Sequence, residues 1–176
     1  KVLLVTSVAE NEGKSSVAAN LALALAEKGR RVMLIDVYLK KPALYKVFEK
    51  KEENRKYLSD YLDKKAEIKD VLIYEKKEKI YTVFQEKSIH NAARYLDSME
   101  MKALIDAGRK KMDYIILDTP PMGAAADAEE LVELADGAVL AVRQDGVLTR
   151  DINDAIDALN QKEEKVIGCV FGNVYP

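Results

Sequence analysis

"KVLLVTSVAENEGKSS", residues 1–16, decides how this chain is read. Lys1 to Thr6 is an apolar run of the length of one buried strand. From Lys14 the composition changes to "KSSVAANLALALAEK". This stretch is rich in Ala and Leu and reads as a helix to Lys28, with Gly29 as its stop. Between strand and helix lies a short polar loop, Ser7 to Gly13.

The same alternation continues outward. "RVMLID" (31–36) is a second buried strand, and "ALYKVFEK" (43–50) a short helical piece after Pro42. The charged segment 49–90 offers "YLSDYLD" (57–63) and "IKDVLIY" (68–74) as short helices and "KIYTVF" (79–84) as a strand. "DSMEMKALIDAGRKK" (97–111) is an amphipathic helix with Asp97 or Ser98 as its cap. "DYIILD" (113–118) is a third buried strand, and residues 127–134 read as helical. "GAVLAVR" (137–143) is a strand, "TRDINDAIDALNQK" (149–162) a helix capped by Thr149, and "KVIGCVF" (165–171) a last strand.

The central strands are continuous apolar runs without polar alternation, so both faces are buried. That pattern predicts an α/β fold: a mostly parallel central sheet flanked by helices on both faces. With no internal repeat and no long linker, the expectation is a single domain over 1–176. The chain opens on a strand-like run without Met, so it reads as a fragment.

Composition narrows the function classes. Hydrophobic residues are 48% and charged residues 33% of 176, which suits a globular chain with a full core. The net charge of -2 gives no global field for nucleic acid. The Lys-rich runs "EKKEENRK" and "EKKEK" are interleaved with Glu and read as solvated faces. Cys169 is the one cysteine; set in "VIGCVF", it reads as a small buried residue. No run approaches the roughly 20 apolar residues of a membrane span, and no signal peptide is visible, so the expected location is cytoplasmic.

Ligands of open parallel sheets bind at the carboxyl ends of the strands. At the first such end stand Gly13, Lys14 and Ser15, between a strand and a helix start, as a phosphate loop requires. Backbone N–H groups and the helix N-terminus face an anion there. Lys14 reaches terminal phosphates and the Ser15 hydroxyl ligates Mg²⁺. The loop's customary first glycine is replaced by Val8, so Asn11, which tolerates left-handed dihedrals, is expected to take the turn. Asp36 and Asp118 close two further strands. Alone, each would be a turn or cap acid; together with the loop they imply a cation, and Mg²⁺ suits oxygen ligands and phosphates.

Three motifs in order, "VTSVAENEGKSSVAANLALALAEKGRRVMLID" with "LKKPALYKVF", then "DYIILDTPP", then "LADGAVLAVR", resemble the catalytic domain of the bacterial tyrosine kinases. These are P-loop NTPases similar to the MinD and ParA ATPases. The resemblance covers nearly the whole chain and is weakest over 49–97. It implies ATP/ADP with Mg²⁺, tyrosine autophosphorylation in trans, and control of capsule or exopolysaccharide export. It also implies homo-oligomers, a neighbour's tyrosine-rich tail as substrate, and a membrane-spanning polysaccharide co-polymerase or fused region as activator, which would hold the domain at the inner face of the membrane. No nucleic-acid partner is implied. By the same resemblance Asn11, Glu12, Gly13, Lys14, Ser15 and Ser16 cradle phosphates. Ser15, Asp36 and Asp118 serve the metal, Lys14, Asp36 and Asp118 are catalytic, and Asp36 receives the tyrosine proton. Asn173 is the expected adenine contact.

The chain departs from the family in places. Glu10-Asn11 stands for Pro-Gly, Tyr38 for a second metal-binding acid, Lys40 for Arg, and "IHNAARYL" for a "PNP" turn. Gly172 occupies the adenine-reading Asn's place. The N-terminal Glu/Arg helix and the tyrosine cluster are outside the sequence, where Tyr175 is the only tail tyrosine. A phenol is neutral near pH 7 and a poor Mg²⁺ ligand. Three readings follow: an active autokinase, a kinase-like nucleotide-binding regulator weakened by Tyr38, and a MinD- or ParA-type positioning ATPase. The last lacks a second lysine early in the loop. Of the remaining candidates, His90 reads as a surface residue and Asp127 as an N-cap or a supporting acid. Arg143 either faces the site or pairs with Asp145.

Overall fold

The structure is a computed structural model in which residues 1–48, 55–124, 131–161 and 166–172 are described. Seven strands among them form one sheet: β1 (Val2–Ser7), β2 (Val32–Asp36), β3 (Ile73–Glu75), β4 (Ile80–Val83), β5 (Tyr114–Asp118), β6 (Gly137–Arg143) and β7 (Val166–Gly172). Their order is β3-β4-β2-β5-β1-β6-β7. All neighbours run parallel except β3, which is antiparallel to β4.

The longer helices are α1 (Lys14–Glu27), α6 (Met99–Lys111) and α7 (Thr149–Gln161); short ones are α2 (Leu44–Val47), α3 (Leu58–Leu62), α4 (Ile68–Val71) and α5 (Ala92–Leu96). The period of two along β2 sorts the core into two layers. Val32 and Leu34 face α1, packing with Ala18, Ala22, Ala26, Leu44 and Phe84. Met33 and Ile35 face the opposite layer with Leu58, Leu96, Leu104, Ile105 and Ile115. Both faces of the central strands are therefore covered, as their unbroken apolar runs predict. Small residues set the approach: α1 lays alanines on the sheet, and a Cβ at Gly108 of α6 would overlap the Met33 and Ile115 side chains.

Local signals explain most boundaries. Gly29, at φ 75°, ends α1 in the left-handed region. The Ser98 hydroxyl oxygen accepts from Met101 N at 3.1 Å and caps α6.

Three expectations are corrected and one unread helix is added. The stretch 68–74 is not one helix: α4 stops at Val71, and Ile73–Glu75 joins the sheet edge. Pairing with β4 overrides the helical pattern, and the Tyr74 and Tyr81 rings meet at 4.9 Å. The helix α5 has no counterpart in the sequence reading. Thr149 lies inside α7, whose first carbonyl acceptor is Leu148, bonded by Ile152 N. Cys169 is exposed, because it belongs to the edge strand β7, where Ile167, Val170 and Phe171 are also exposed. Asp127 lies outside the described residues; Leu131 and Val132, from the same expected helix, are buried.

Candidate functional site

The site grows from the end of β1. The Ser7 hydroxyl donates to the Ala9 carbonyl at 2.6 Å, and Ala9 N donates to Glu12 Oε2 at 2.7 Å. Asn11 takes the left-handed turn with φ 63°, as expected, and Gly13 follows with φ 82°. The loop therefore turns twice and delivers Lys14 as the first residue of α1. No side chain caps α1, whose N-cap is Gly13. Its first N–H groups, orphaned in any helix, are left for an anion. Glu12 is buried and spends its carboxylate on Ala9 and, at 3.4 Å, on Arg143 N at the end of β6. Its side chain braces the loop; only its backbone is left for phosphate.

Asp36 and Asp118 occupy matching positions on the adjacent strands β2 and β5. Both are 0% exposed. Asp36 Oδ2 accepts from Ala43 N and Leu44 N, each at 3.0 Å, so half of the carboxylate holds the start of α2. The turn-acid reading and the site reading are both realised in one side chain. Its Oδ1 and both oxygens of Asp118 are buried without a hydrogen-bond partner. Burial pushes the Asp36 carboxyl well above its ordinary value, and the Asp118 charge adds to the push. Burial also raises Asp118, to about 6, against the Ser15 hydroxyl and the Lys14 ammonium, which pull it down. Ser15 exerts that pull without meeting full hydrogen-bond geometry.

Lys14 is 8% exposed. Burial lowers its pKa, opposed by the charges of Asp118, Asp36 and Glu10. Its Nζ stands 4.3 Å from the centre of the Tyr38 ring. The Tyr38 hydroxyl donates to Glu10 Oε1 at 3.1 Å, and Lys41 Nζ reaches Glu10 Oε2 at 2.6 Å. One pocket is lined by Asn11, Gly13, Lys14, Ser15, Ser16 and Tyr38. The structure thus brings the loop residues and both aspartates together. Asn173 lies outside the described residues. His90 is exposed, as expected, and the Arg143 side chain is exposed, with no ion pair to Asp145 among the described residues.

Sequence reasoning missed several contributors. Thr6 Oγ1 donates to Pro120 O at 2.7 Å and Thr119 Oγ1 to Val5 O at 3.0 Å, tying the "DTPP" turn to β1. A hydroxyl beside each strand end was the available signal. The Glu10–Tyr38–Lys41 cluster had none, since its members meet only through the fold.

Three buried oxygens without partners, beside a serine at a helix start, form a hard-oxygen donor set that fits Mg²⁺. Among the described residues no group of three His, Cys, Asp or Glu converges on one metal position. Phosphate and water must therefore supply most of its shell, which is how Mg²⁺ binds with nucleotides.

The AAA domain family matches residues 5–164 of the chain. The tyrosine-protein kinase CpsD of Streptococcus agalactiae is 30% identical over 174 residues, covering 99% of this chain and 76% of that protein. YwqD of Bacillus subtilis (strain 168), another tyrosine-protein kinase, is 33% identical over 171 residues, covering 97% and 71%. The kinase domain of VpsO superposes with a TM-score of 0.91 at 24% identity, covering 99% of this chain and 85% of that one. The septum site-determining protein MinD from Pyrococcus horikoshii OT3, solved with Mg-ADP, gives a TM-score of 0.82 at 23% identity, covering 97% and 69%. The two superpositions show a shared fold. With the matches in sequence, they place the chain: it belongs to the AAA domain family, among the bacterial tyrosine-protein kinases built on the MinD-like fold.

Proposed function

We propose that this chain is a single P-loop domain working as an ATP- and Mg²⁺-dependent protein-tyrosine autokinase in capsular or exopolysaccharide biosynthesis. The observation that carries this reading is the buried Lys14 at the uncapped start of α1, facing the unpartnered carboxylate oxygens of Asp36 and Asp118.

In this reading the backbone N–H groups from Glu12 to Ser16 hold the phosphates, and Asn11 shapes the loop that presents them. Lys14 stabilises charge on the terminal phosphate. Ser15 and Asp118 hold the metal, and Asp36 meets its shell through water. When bound, Mg²⁺ neutralises the phosphate oxygens on which charge develops. Asp36 Oδ1, not bound to the metal directly, is the acceptor for the proton of an incoming tyrosine. The domain acts at the cytoplasmic face of the membrane, brought there by a membrane-spanning polysaccharide co-polymerase or a fused region. Its copies assemble and phosphorylate one another's tyrosine-rich tails. Asn173 is proposed to contact adenine.

A second reading has one specific observation behind it. Tyr38 stands two residues past Asp36 and its hydroxyl is engaged by Glu10, so it adds no acid to the metal side. The protein would then bind nucleotide and regulate by association, with slow phosphotransfer. Incubating the full-length protein and its activator with ATP and Mg²⁺ separates the two. Phosphotyrosine that disappears in Lys14→Met supports the autokinase. Nucleotide binding with no phosphotyrosine overturns it and leaves the regulator.

A further inference from the structure

We propose that Tyr38 is a positioning residue of this site: its ring, and not its hydroxyl, holds the Lys14 ammonium toward the phosphate loop before nucleotide arrives. The inference deepens the nucleotide-binding reading above and rests on it for its significance.

Lys14 poses a physical problem in the nucleotide-free protein. Its side chain is buried, and burial of an ammonium is costly unless something compensates. Among the described hydrogen bonds and ion pairs, none involves its Nζ. One group compensates at a defined distance: the Tyr38 ring, whose centre lies 4.3 Å away, well within the roughly 6 Å range of a cation–π contact. Charges on Asp118, Asp36 and Glu10 attract the same ammonium without forming an ion pair with it. Attraction alone would let a flexible four-carbon chain settle against any of them. A ring face gives the charge a defined seat.

The ring is itself fixed from three sides. Tyr38 is 5% exposed. Its carbonyl accepts from Lys41 N at 3.0 Å, closing the turn after β2, and the preceding Val37 N donates to the Asp118 carbonyl at 3.0 Å. Its hydroxyl reaches Glu10 on the phosphate loop. The hydroxyl thus orients the ring, and Glu10 is shared with Lys41. The ring face serves Lys14. Ring and ammonium both line the pocket with Gly13, Ser15 and Ser16, so the seat opens onto the place a phosphate would take.

The test compares Tyr38→Phe, Tyr38→Trp and Tyr38→Met in the whole chain. Two readouts are used: the ¹H shift of the Lys14 ε-methylene in ¹³C-lysine-labelled protein, and the affinity for fluorescent ADP with Mg²⁺. The wild type, Phe and Trp proteins are expected to show an upfield ring-current shift at Lys14 and affinities within about twofold to threefold of one another. Tyr38→Met is expected to lose the shift and bind about tenfold more weakly, because only about a tenth of the free protein then holds the ammonium in place. An upfield shift that persists in Tyr38→Met, or its unchanged affinity, overturns the proposal. So does a Phe variant as weak as Met, because the hydroxyl would then be the active part. Should Tyr38→Met not fold, the Trp and Phe shifts still decide between ring and hydroxyl. If no variant binds nucleotide but the shift follows the ring, the proposed function fails and the positioning role stands.

Discussion

Asp36 and Asp118 are register partners on neighbouring parallel strands, and neither side chain reaches solvent. Two carboxyls so placed cannot both ionise cheaply without a cation. Burial raises both pKa values, Asp118 to about 6, and the Asp118 charge pushes Asp36 further up.

The sign of the resulting pH dependence follows. A carboxyl that holds its proton more tightly when folded stabilises the native state at low pH. That contribution is lost as pH rises from the unfolded value near 4 through the folded value near 6. The cost at pH 7.5 is on the order of 2 to 3 kcal/mol for Asp118. Urea unfolding of the nucleotide-free protein should show Asp118→Asn more stable than wild type at pH 7.5. The gain should shrink by pH 4.5, while Mg²⁺-dependent nucleotide binding is lost. Equal stability differences at the two pH values would contradict this.

Asn11 carries the turn of the phosphate loop at φ 63°. Asn11→Gly should keep nucleotide affinity within about threefold, since glycine adopts that conformation freely. Asn11→Val should cost about 1 to 2 kcal/mol in loop strain and weaken binding by about tenfold or more. Isothermal titration with ADP and Mg²⁺ reads both.

Glu12 is the brace between loop and β6. Glu12→Ala strands the Ala9 N–H and should cost about 1 to 3 kcal/mol. Glu12→Gln keeps an acceptor and should recover most of it. Hydrogen exchange at Ala9 is the direct measurement: it should speed up in the Ala variant and stay slow in the Gln variant.

Away from the site, Arg55 is buried with Glu75 at 3.1 Å and Thr82 at 3.0 Å, and its guanidinium lies over Phe84 at 4.6 Å. The network joins the segment before α3 to the β3–β4 edge. Arg55→Ala leaves a buried carboxylate facing no guanidinium and should destabilise by about 3 to 5 kcal/mol. Replacing the pair, with Arg55→Met and Glu75→Leu, should cost much less. Chemical denaturation of the two variants compares them.

How much of this was legible in the sequence varies by element. The β1–loop–α1 unit was readable because an apolar strand, Gly13-Lys14-Ser15 and an alanine-rich helix are each local signals. The left-handed turn at Asn11 was readable for the same reason, since few residue types fit it. Residues 68–75 were not, because half form α4 and half are recruited by β4, a partner the local pattern does not reveal. The exposure of Cys169 depends on β7 lying at the sheet edge. The double duty of Asp36 depends on α2 folding back onto it, and the Lys14–Tyr38 contact on a loop returning over the phosphate pocket. Each miss is a tertiary contact overriding or supplementing a local preference.

The sheet order has a consequence for synthesis. β1 and β2 carry the lysine loop and the first aspartate, yet they do not pair; β5 lies between them and pairs with both. A nascent chain that has not yet reached Tyr114 can pair β2 with β4 but lacks the strand that joins β2 to β1. The lysine loop and the first aspartate can be brought together only once the strand ending in Asp118 emerges and is inserted like a keystone.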